Sequence, residues 1–371
     1  MASPLTRRSL LAATAAGLAV VAGGRGGAMA DECAGRSGLH GLAGCSNRYF
    51  GCSVKDSLFT DAAFAALVAR ECGALVCTYS MKWRFLEPEP GRFDFDKADR
   101  YVDFAARHRM LMRGHTLVWE KDLPPWLPDA LARGGVTALE RHVRGVAGHY
   151  AGRIHSWDVV NEVFEPDHER PDGLKATPFL KALGPSYIEA AFAAAHEADP
   201  KARLCCNANP APYRTERHRR HFRDAVALLE RLVGRGVPIH EVGIQSHFWA
   251  ARADEFDEAT LCWFIESLQA LGLGVVVTEL DVTDKKLPGD VALRDRRVAE
   301  SYRMLLDVML SYPAVKGVLT WGLSDRYTGL DRWPRADGLP VRGLPYDEAM
   351  QPKPARLAIA EAFRKSGSCA C

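Results

Sequence analysis

Two stretches of sequence decide the fold: IHSWDVVNE at residues 154–162 and VVVTELD at residues 275–281. In each, a short apolar run of strand length leads directly into polar residues that include a glutamate. Continuous apolar runs of this kind are typical of strands that are buried on both faces of a parallel sheet. A glutamate directly after such a strand is costly to bury unless it is paired, hydrogen-bonded or used in chemistry.

The same kind of run recurs along the chain and alternates with amphipathic stretches of helical length. The predicted strands cover residues 49–54, 74–79, 111–119, 154–161, 202–207, 242–247, 275–280 and 318–323. The predicted helices cover residues 62–71, 96–107, 136–150, 186–198, 217–235, 255–271, 290–311 and 355–364. About eight alternations predict a single TIM (β/α)8 barrel. A doubly wound open sheet is the alternative, but no glycine-rich phosphate turn follows the first strand.

The first thirty residues have the features of an export signal. Twin arginines, Arg7 and Arg8, precede an apolar run that is too short to span a bilayer, and Ala28-Met29-Ala30 has the form of a cleavage site. An N-terminal anchor that stays attached is the alternative. We therefore predict a twin-arginine signal peptide at 1–30, a flexible arm at 31–45, the barrel at 46–366 and a C-terminal tail at 367–371. The protein is expected in the periplasm or secreted.

Composition limits the partners of the mature chain. Removal of residues 1–30 takes away three arginines and no acid, so the formal charge falls from +2 to −1. A nearly neutral chain gives no electrostatic reason to expect nucleic acid, and it suits a neutral polysaccharide or oligosaccharide substrate. No apolar run long enough for a membrane span follows the leader. We expect a monomer, and we expect the ten cysteines to be mostly buried thiols with one or two surface disulfides.

Polar residues at the predicted strand ends indicate the chemistry. In a (β/α)8 barrel, functional residues lie at the C-terminal ends of the strands. Glu162 and Glu279 both stand there, and two glutamates at one barrel mouth are the components of glycoside hydrolysis. His115, His247 and Trp321 stand at other strand ends and suit a sugar, which needs flat aromatic faces and fixed hydrogen-bonding groups. The alternative is that each glutamate serves in a structural ion pair.

These motifs resemble those of glycoside hydrolase family ten, the endo-1,4-β-xylanases. The matching stretches are MKW at 81–83, FDFDKAD at 93–99, RGHTLVW at 113–119, LPPW at 123–126, WDVVNE at 157–162, GIQSH at 243–247, TELDV at 278–282, TWG at 320–322 and PKP at 352–354. They run in family order from about residue 48 to 363. The resemblance therefore covers nearly all of the mature chain.

The resemblance implies a role for each matching position. Glu162 is the acid/base and Glu279 is the nucleophile of a retaining double displacement. Asn161 bonds the sugar 2-hydroxyl, His247 is hydrogen-bonded to the nucleophile, and Asp281 orients that histidine. The residues that line the sugar subsites on the glycone side are Lys82, His115, Trp119, Gln245 and Trp321. No metal or cofactor is implied, and we expect the charge of Glu279 to raise the pKa of Glu162.

The chain departs from the family pattern around the glycone-binding wall. The positions that differ are Thr78, Tyr79, Glu120, Asp122, the last two residues of Asn207-Ala208-Asn209, where the family has Asn-Asp-Tyr, and Gly329, where the family has a second tryptophan. These changes spare the two reacting carboxylates. Besides a xylanase, two other functions therefore stay open: a glycosidase for another β-linked glycan, and a poorly active glycan-binding barrel.

Overall fold

The computed structural model describes residues 38–168 and 170–368. Its central barrel is built in order from β1 (Tyr49–Val54), β2 (Ala74–Cys77), β3 (Leu111–Val118), β4 (Ser156–Asn161), β5 (Arg203–Ala208), β6 (Glu241–Ile244), β8 (Gly274–Thr283) and β9 (Val315–Thr320). Parallel pairing of β9 with β1 closes the barrel. The short β7 (His247–Trp249) extends the sheet at the mouth by pairing with the end of β8. The predicted TIM barrel is confirmed.

Helices connect the strands and cover the outside of the barrel. They are α1 (Gly38–Gly44), α2 (Ser57–Thr60), α3 (Ala62–Glu71), α4 (Trp83–Leu86), α5 (Asp96–Arg107), α6 (Leu127–Gly134), α7 (Thr137–His149), α8 (Pro178–Leu183), α9 (Tyr187–Ala198), α10 (Glu216–Gly234), α11 (Glu258–Ala270), α12 (Val291–Met309) and α13 (Pro354–Ser368). Short 3-10 helices lie at Pro166–His168, Ala250–Glu255, Asp325–Tyr327 and Leu330–Arg332. The predicted bounds of β1, α3 and α5 are identical to those observed. For α3, the side chain of Asp61 accepts hydrogen bonds from the first turn and marks the start of the helix.

Packing between the barrel strands and the surrounding helices holds β4, which precedes Glu162, in position. Trp157 on β4 is fully buried, and Gly114 on β3 lies against its ring. A Cβ atom at Gly114 would stand 2.0 Å from Cε3 of Trp157, so only glycine allows this close approach. The indole of Trp157 therefore packs on the outer face of the barrel, with its ring centroid 6.1 Å from that of Tyr150.

A buried ion pair connects the barrel interior with its mouth. Nη2 of Arg113 lies 2.5 Å from Oδ1 of Asp158, and the other carboxylate oxygen is 2.9 Å from Nδ1 of His115. Burial raises the pKa of Asp158, but Arg113 and His115 outweigh burial and leave that pKa below its ordinary value. The orientation of His115 is therefore set by a charge network inside the barrel.

At both ends of the described chain, the structure differs from the sequence predictions. The predicted signal peptide lies outside the described residues, as does the first part of the predicted arm. From residue 38 the arm is not loose: α1 is helical and buries Leu39 and Ala43, because both side chains join the main apolar core. At the other end, α13 continues to Ser368, two residues past the predicted limit of the barrel.

Cysteines in the described part of the chain are mostly buried thiols, as expected. Cys45 is disulfide-bonded. The free cysteines are Cys52, Cys72, Cys77, Cys205 and Cys206, which are buried, and Cys262, which is half-buried. None of the helices described here is both long and apolar enough to cross a membrane.

Candidate active site

A cleft of about 480 Å³ opens at the C-terminal ends of the strands. All the site residues predicted from sequence line it, which places them together at one barrel mouth. They are Lys82, His115, Trp119, Asn161, Glu162, Gln245, His247, Glu279, Asp281 and Trp321.

Glu162 stands directly after β4, where the backbone turns. Its φ angle is +56°, in the left-handed region that disfavours side chains with a Cβ. Its amide donates to the carbonyl of Asn207 at 2.9 Å, which holds this turn against β5. Nε2 of Gln245 donates to Oε1 of the Glu162 carboxylate at 3.2 Å. The carboxyl group is therefore held in the cleft by both its backbone and its side chain.

Two lysines surround the other oxygen of Glu162. Oε2 lies 3.2 Å from Nζ of Lys121 and 3.6 Å from Nζ of Lys175, and Lys175 also pairs with Glu120 at 2.6 Å. Burial raises the pKa of Glu162, but the two lysines outweigh burial and leave the pKa below its ordinary value. The expectation of a raised pKa for Glu162 is therefore wrong, because the charges of the two lysines favour its ionised form.

Glu279 lies within β8 at the opposite side of the cleft. Its Oε2 is 3.4 Å from Nε2 of His247, and Nδ1 of the same ring is 2.9 Å from Oδ1 of Asp281. Burial lowers the pKa of His247, but the two carboxylates outweigh burial and raise the pKa well above its ordinary value. A cationic imidazole between two carboxylates places a positive charge beside Glu279, the predicted nucleophile.

Asn207 is a site residue that the sequence reasoning missed. Its Nδ2 donates to Oε1 of Glu279 and to Oδ1 of Asn161, both at 2.8 Å. The hydroxyl of Thr278 donates to the amide oxygen of Asn207 at 2.7 Å, which fixes the direction of the amide. A polar residue at the end of the otherwise apolar β5 was the signal that could have identified it.

The predicted sugar-binding residues form a second wall of the cleft. Nζ of Lys82 is 4.2 Å from the ring centroid of Trp119 and 3.2 Å from Oδ2 of Asp122. The rings of His115 and Trp321 meet edge to face, with their centroids 5.3 Å apart. This wall offers a flat indole and a fixed cation, the groups that recognise a sugar ring and its hydroxyls.

Comparison with known proteins identifies the family of this chain. Residues 38–362 match the family model of Glycosyl hydrolase family 10. The chain belongs to glycosyl hydrolase family 10. Endo-1,4-beta-xylanase B of Thermotoga neapolitana is 32% identical over 302 residues, which cover 80% of this chain and 82% of that protein. Beta-1,4-xylanase of Dictyoglomus thermophilum is 33% identical, over 78% of this chain and 81% of that protein.

Solved family 10 structures share the same architecture. Native xylanase 10B from Thermotoga maritima superposes with a TM-score of 0.79 at 30% identity, and the match covers 89% of this chain and 99% of that one. Membership of family 10 makes the protein a glycoside hydrolase that acts on O-glycosyl bonds, as the sequence predicts. In the described part of the chain, no three His, Cys, Asp or Glu side chains are grouped so that they could hold a metal ion.

Proposed function

We propose that the protein is a retaining endo-1,4-β-xylanase that hydrolyses xylan by double displacement. The observation that carries this proposal is the placement of Glu162 and Glu279 in one cleft, each beside its own cationic partner. Two carboxyl groups in such a cleft can supply a general acid and a nucleophile without a metal ion. The names of the relatives support xylan as the substrate rather than another β-linked glycan.

In the first step, Glu279 attacks the anomeric carbon and the proton of Glu162 passes to the departing oxygen. Nε2 of His247 lies 3.4 Å from Oε2 of Glu279 and helps to hold the attacking carboxylate in position. Asn207 donates to the other oxygen of Glu279, so that the carboxylate is oriented before the substrate binds. Asn161, held by the same amide, is the residue that we assign to the sugar 2-hydroxyl.

In the second step, Glu162 acts as a base toward water and the glycosyl–Glu279 ester is hydrolysed. Lys121 and Lys175 stabilise the anionic form of Glu162 that this step needs. The same lysines oppose the protonated form that the first step needs. The balance between the two steps therefore depends on the charges around Glu162.

Release of reducing sugars from xylan tests the activity, and azide tests the two roles. With an activated aryl β-xyloside, Glu279→Ala should lose activity and azide should then give the inverted α-azide. Glu162→Ala should keep activity on that substrate and give the β-azide, because the acid is not needed for a good leaving group. Undiminished xylan hydrolysis by both variants would overturn the assignment.

We also propose that the protein is exported as a monomer after removal of residues 1–30. The twin arginines and the disulfide at Cys45 support export. Mass spectrometry of the periplasmic and extracellular fractions should find a mature chain that starts at residue 31, and light scattering should give the mass of one chain. A full-length chain in the cytoplasm, or a dimer, would contradict these proposals.

A further inference from the structure

The cleft contains a group of basic and aromatic residues that the proposed mechanism does not use. We call Lys55, Tyr79, Gly329, Arg332 and Trp333 the basic wall; all line the cleft. Lys55 follows β1, and the other end of the wall follows β9. Since β1 and β9 are paired neighbours in the barrel, the two segments meet at the same edge of the mouth.

The two cations of the basic wall lack carboxylate partners. Among the described residues, no Asp or Glu oxygen lies within ion-pair distance of Lys55 or Arg332, whereas the cleft cations Lys82 and Lys121 are each paired at 3.2 Å. Lys55 donates only to the carbonyl of Thr328, at 3.0 Å. Arg332 reaches only the hydroxyl of Tyr79, at 3.4 Å. Both cations therefore keep hydrogen-bond donors for a ligand.

Lys55 and Arg332 are close enough to affect one another. Burial lowers the pKa of Lys55, the nearby Asp331 opposes that effect, and Arg332 lowers the pKa further. Two like charges that face one cleft repel each other, and an anion placed between them would remove that repulsion. The site thus favours a negatively charged group over a neutral sugar hydroxyl.

The cleft also has open space beside the charged side chains of the basic wall. A Cβ atom built on Gly329 would meet no heavy atom within 4 Å, so the wall has room at the position where the family has a tryptophan. Beside this space, the Trp333 side chain is exposed, and the guanidinium of Arg332 lies 5.6 Å from its ring centroid. An exposed indole next to a cation can stack on a sugar ring whose carboxylate binds the cation.

We propose that the basic wall binds a uronic acid branch of the glycan, with its carboxylate between Lys55 and Arg332. This inference rests on the proposed xylanase function and names the substrate class that the same cleft prefers. A charge-assisted contact that is open to solvent predicts a preference of about tenfold for the acidic glycan.

The test compares glucuronoxylan with the same polymer after reduction of its carboxyl groups to alcohols. We expect kcat/KM to be about tenfold higher on the acidic polymer, and we expect this ratio to shrink in 0.5 M NaCl because salt screens exposed charges. Arg332→Met and Lys55→Met should each bring the ratio close to one. Lys97 is exposed on α5 and does not line the cleft; Lys97→Met removes an equal charge and should leave the ratio as in the wild type.

The ratio of kcat/KM on the acidic polymer to kcat/KM on the reduced polymer does not change when part of the protein is inactive, so each outcome is decisive. Equal rates of the wild type on both polymers, or an unchanged ratio in both cleft variants, would overturn this inference and leave the xylanase function standing. Hydrolysis of neither polymer would overturn the xylanase function itself.

Discussion

The lysines beside Glu162 should set the alkaline limit of activity, and replacing them should move that limit in a defined direction. The alkaline limb of kcat/KM reports the loss of the acid's proton in the free enzyme. Because Lys121 and Lys175 hold the pKa of Glu162 below its ordinary value, kcat/KM on xylo-oligosaccharides should begin to fall at a lower pH than an ordinary glutamic acid would give. In Lys175→Met the pKa of Glu162 rises, so the limb should move to higher pH.

The size of this movement follows from the distance between the charges. At 3.6 Å, two unit charges interact by about 1 kcal/mol in water and by about 5 kcal/mol at an effective dielectric constant of 20. The Glu162 side chain is 11% exposed and faces the open cleft, so we take about 1–2 kcal/mol. This energy corresponds to a displacement of the alkaline limb by about one pH unit.

A variant with the opposite effect on charge should move the alkaline limb of the kcat/KM profile to lower pH. Glu120 holds Lys175 at 2.6 Å, and Glu120→Gln removes that competing carboxylate. Lys175 then interacts more strongly with Glu162, the pKa of Glu162 falls, and the limb should move to lower pH. Movement of both variants in the same direction, or no movement in either, would refute the electrostatic reasoning. A dinitrophenyl xyloside is the control: its leaving group needs no proton, so its profile should lack this limb.

Three further outcomes follow from contacts described above or from burial. Asn207→Ala should lower kcat by about 100-fold with a smaller effect on KM, because both Glu279 and Asn161 lose their common donor; steady-state kinetics would show it, and an unchanged kcat would count against it. Gly114→Ala should lower the free energy of unfolding in urea by about 1–3 kcal/mol through the clash with Trp157. Burial lowers the pKa of His221 to about 4, so the neutral ring stabilises the fold above pH 6.5 and this contribution is lost as the pH falls toward 4. His221→Phe should flatten the dependence of stability on pH over that range, by up to about 3 kcal/mol.

The barrel could be predicted from sequence because most of its strands carry a continuous apolar run. Bounds were less accurate where a polar residue interrupts the pattern. β9 begins at Val315 rather than at the predicted residue 318, since Lys316 is exposed within the strand. The short helices α4, α6 and α8 were not predicted, because segments of four to eight residues contain too few apolar positions to show a period.

The predicted site residues do meet in one cleft, but the charges that tune Glu162 were not predictable. Lys175 lies thirteen positions after Glu162 in a loop, and its place depends on tertiary contacts. The bridge between Phe164 and Leu174 and the bond from the Lys175 amide to the Val163 carbonyl at 2.8 Å bring the loop back to the mouth. No local pattern encodes such a return, whereas Glu162 and Glu279 follow directly from the strands that carry them.

The backbone conformation at Glu162 sets the thermal stability of the protein against its catalytic activity. A φ angle of +56° costs a side-chain-bearing residue about 1 kcal/mol or more, and glycine escapes that cost. Laboratory evolution that selects for thermal stability alone would therefore tend to replace Glu162, the proton donor, with glycine. Improved variants of this protein are best chosen by screening turnover and melting temperature together.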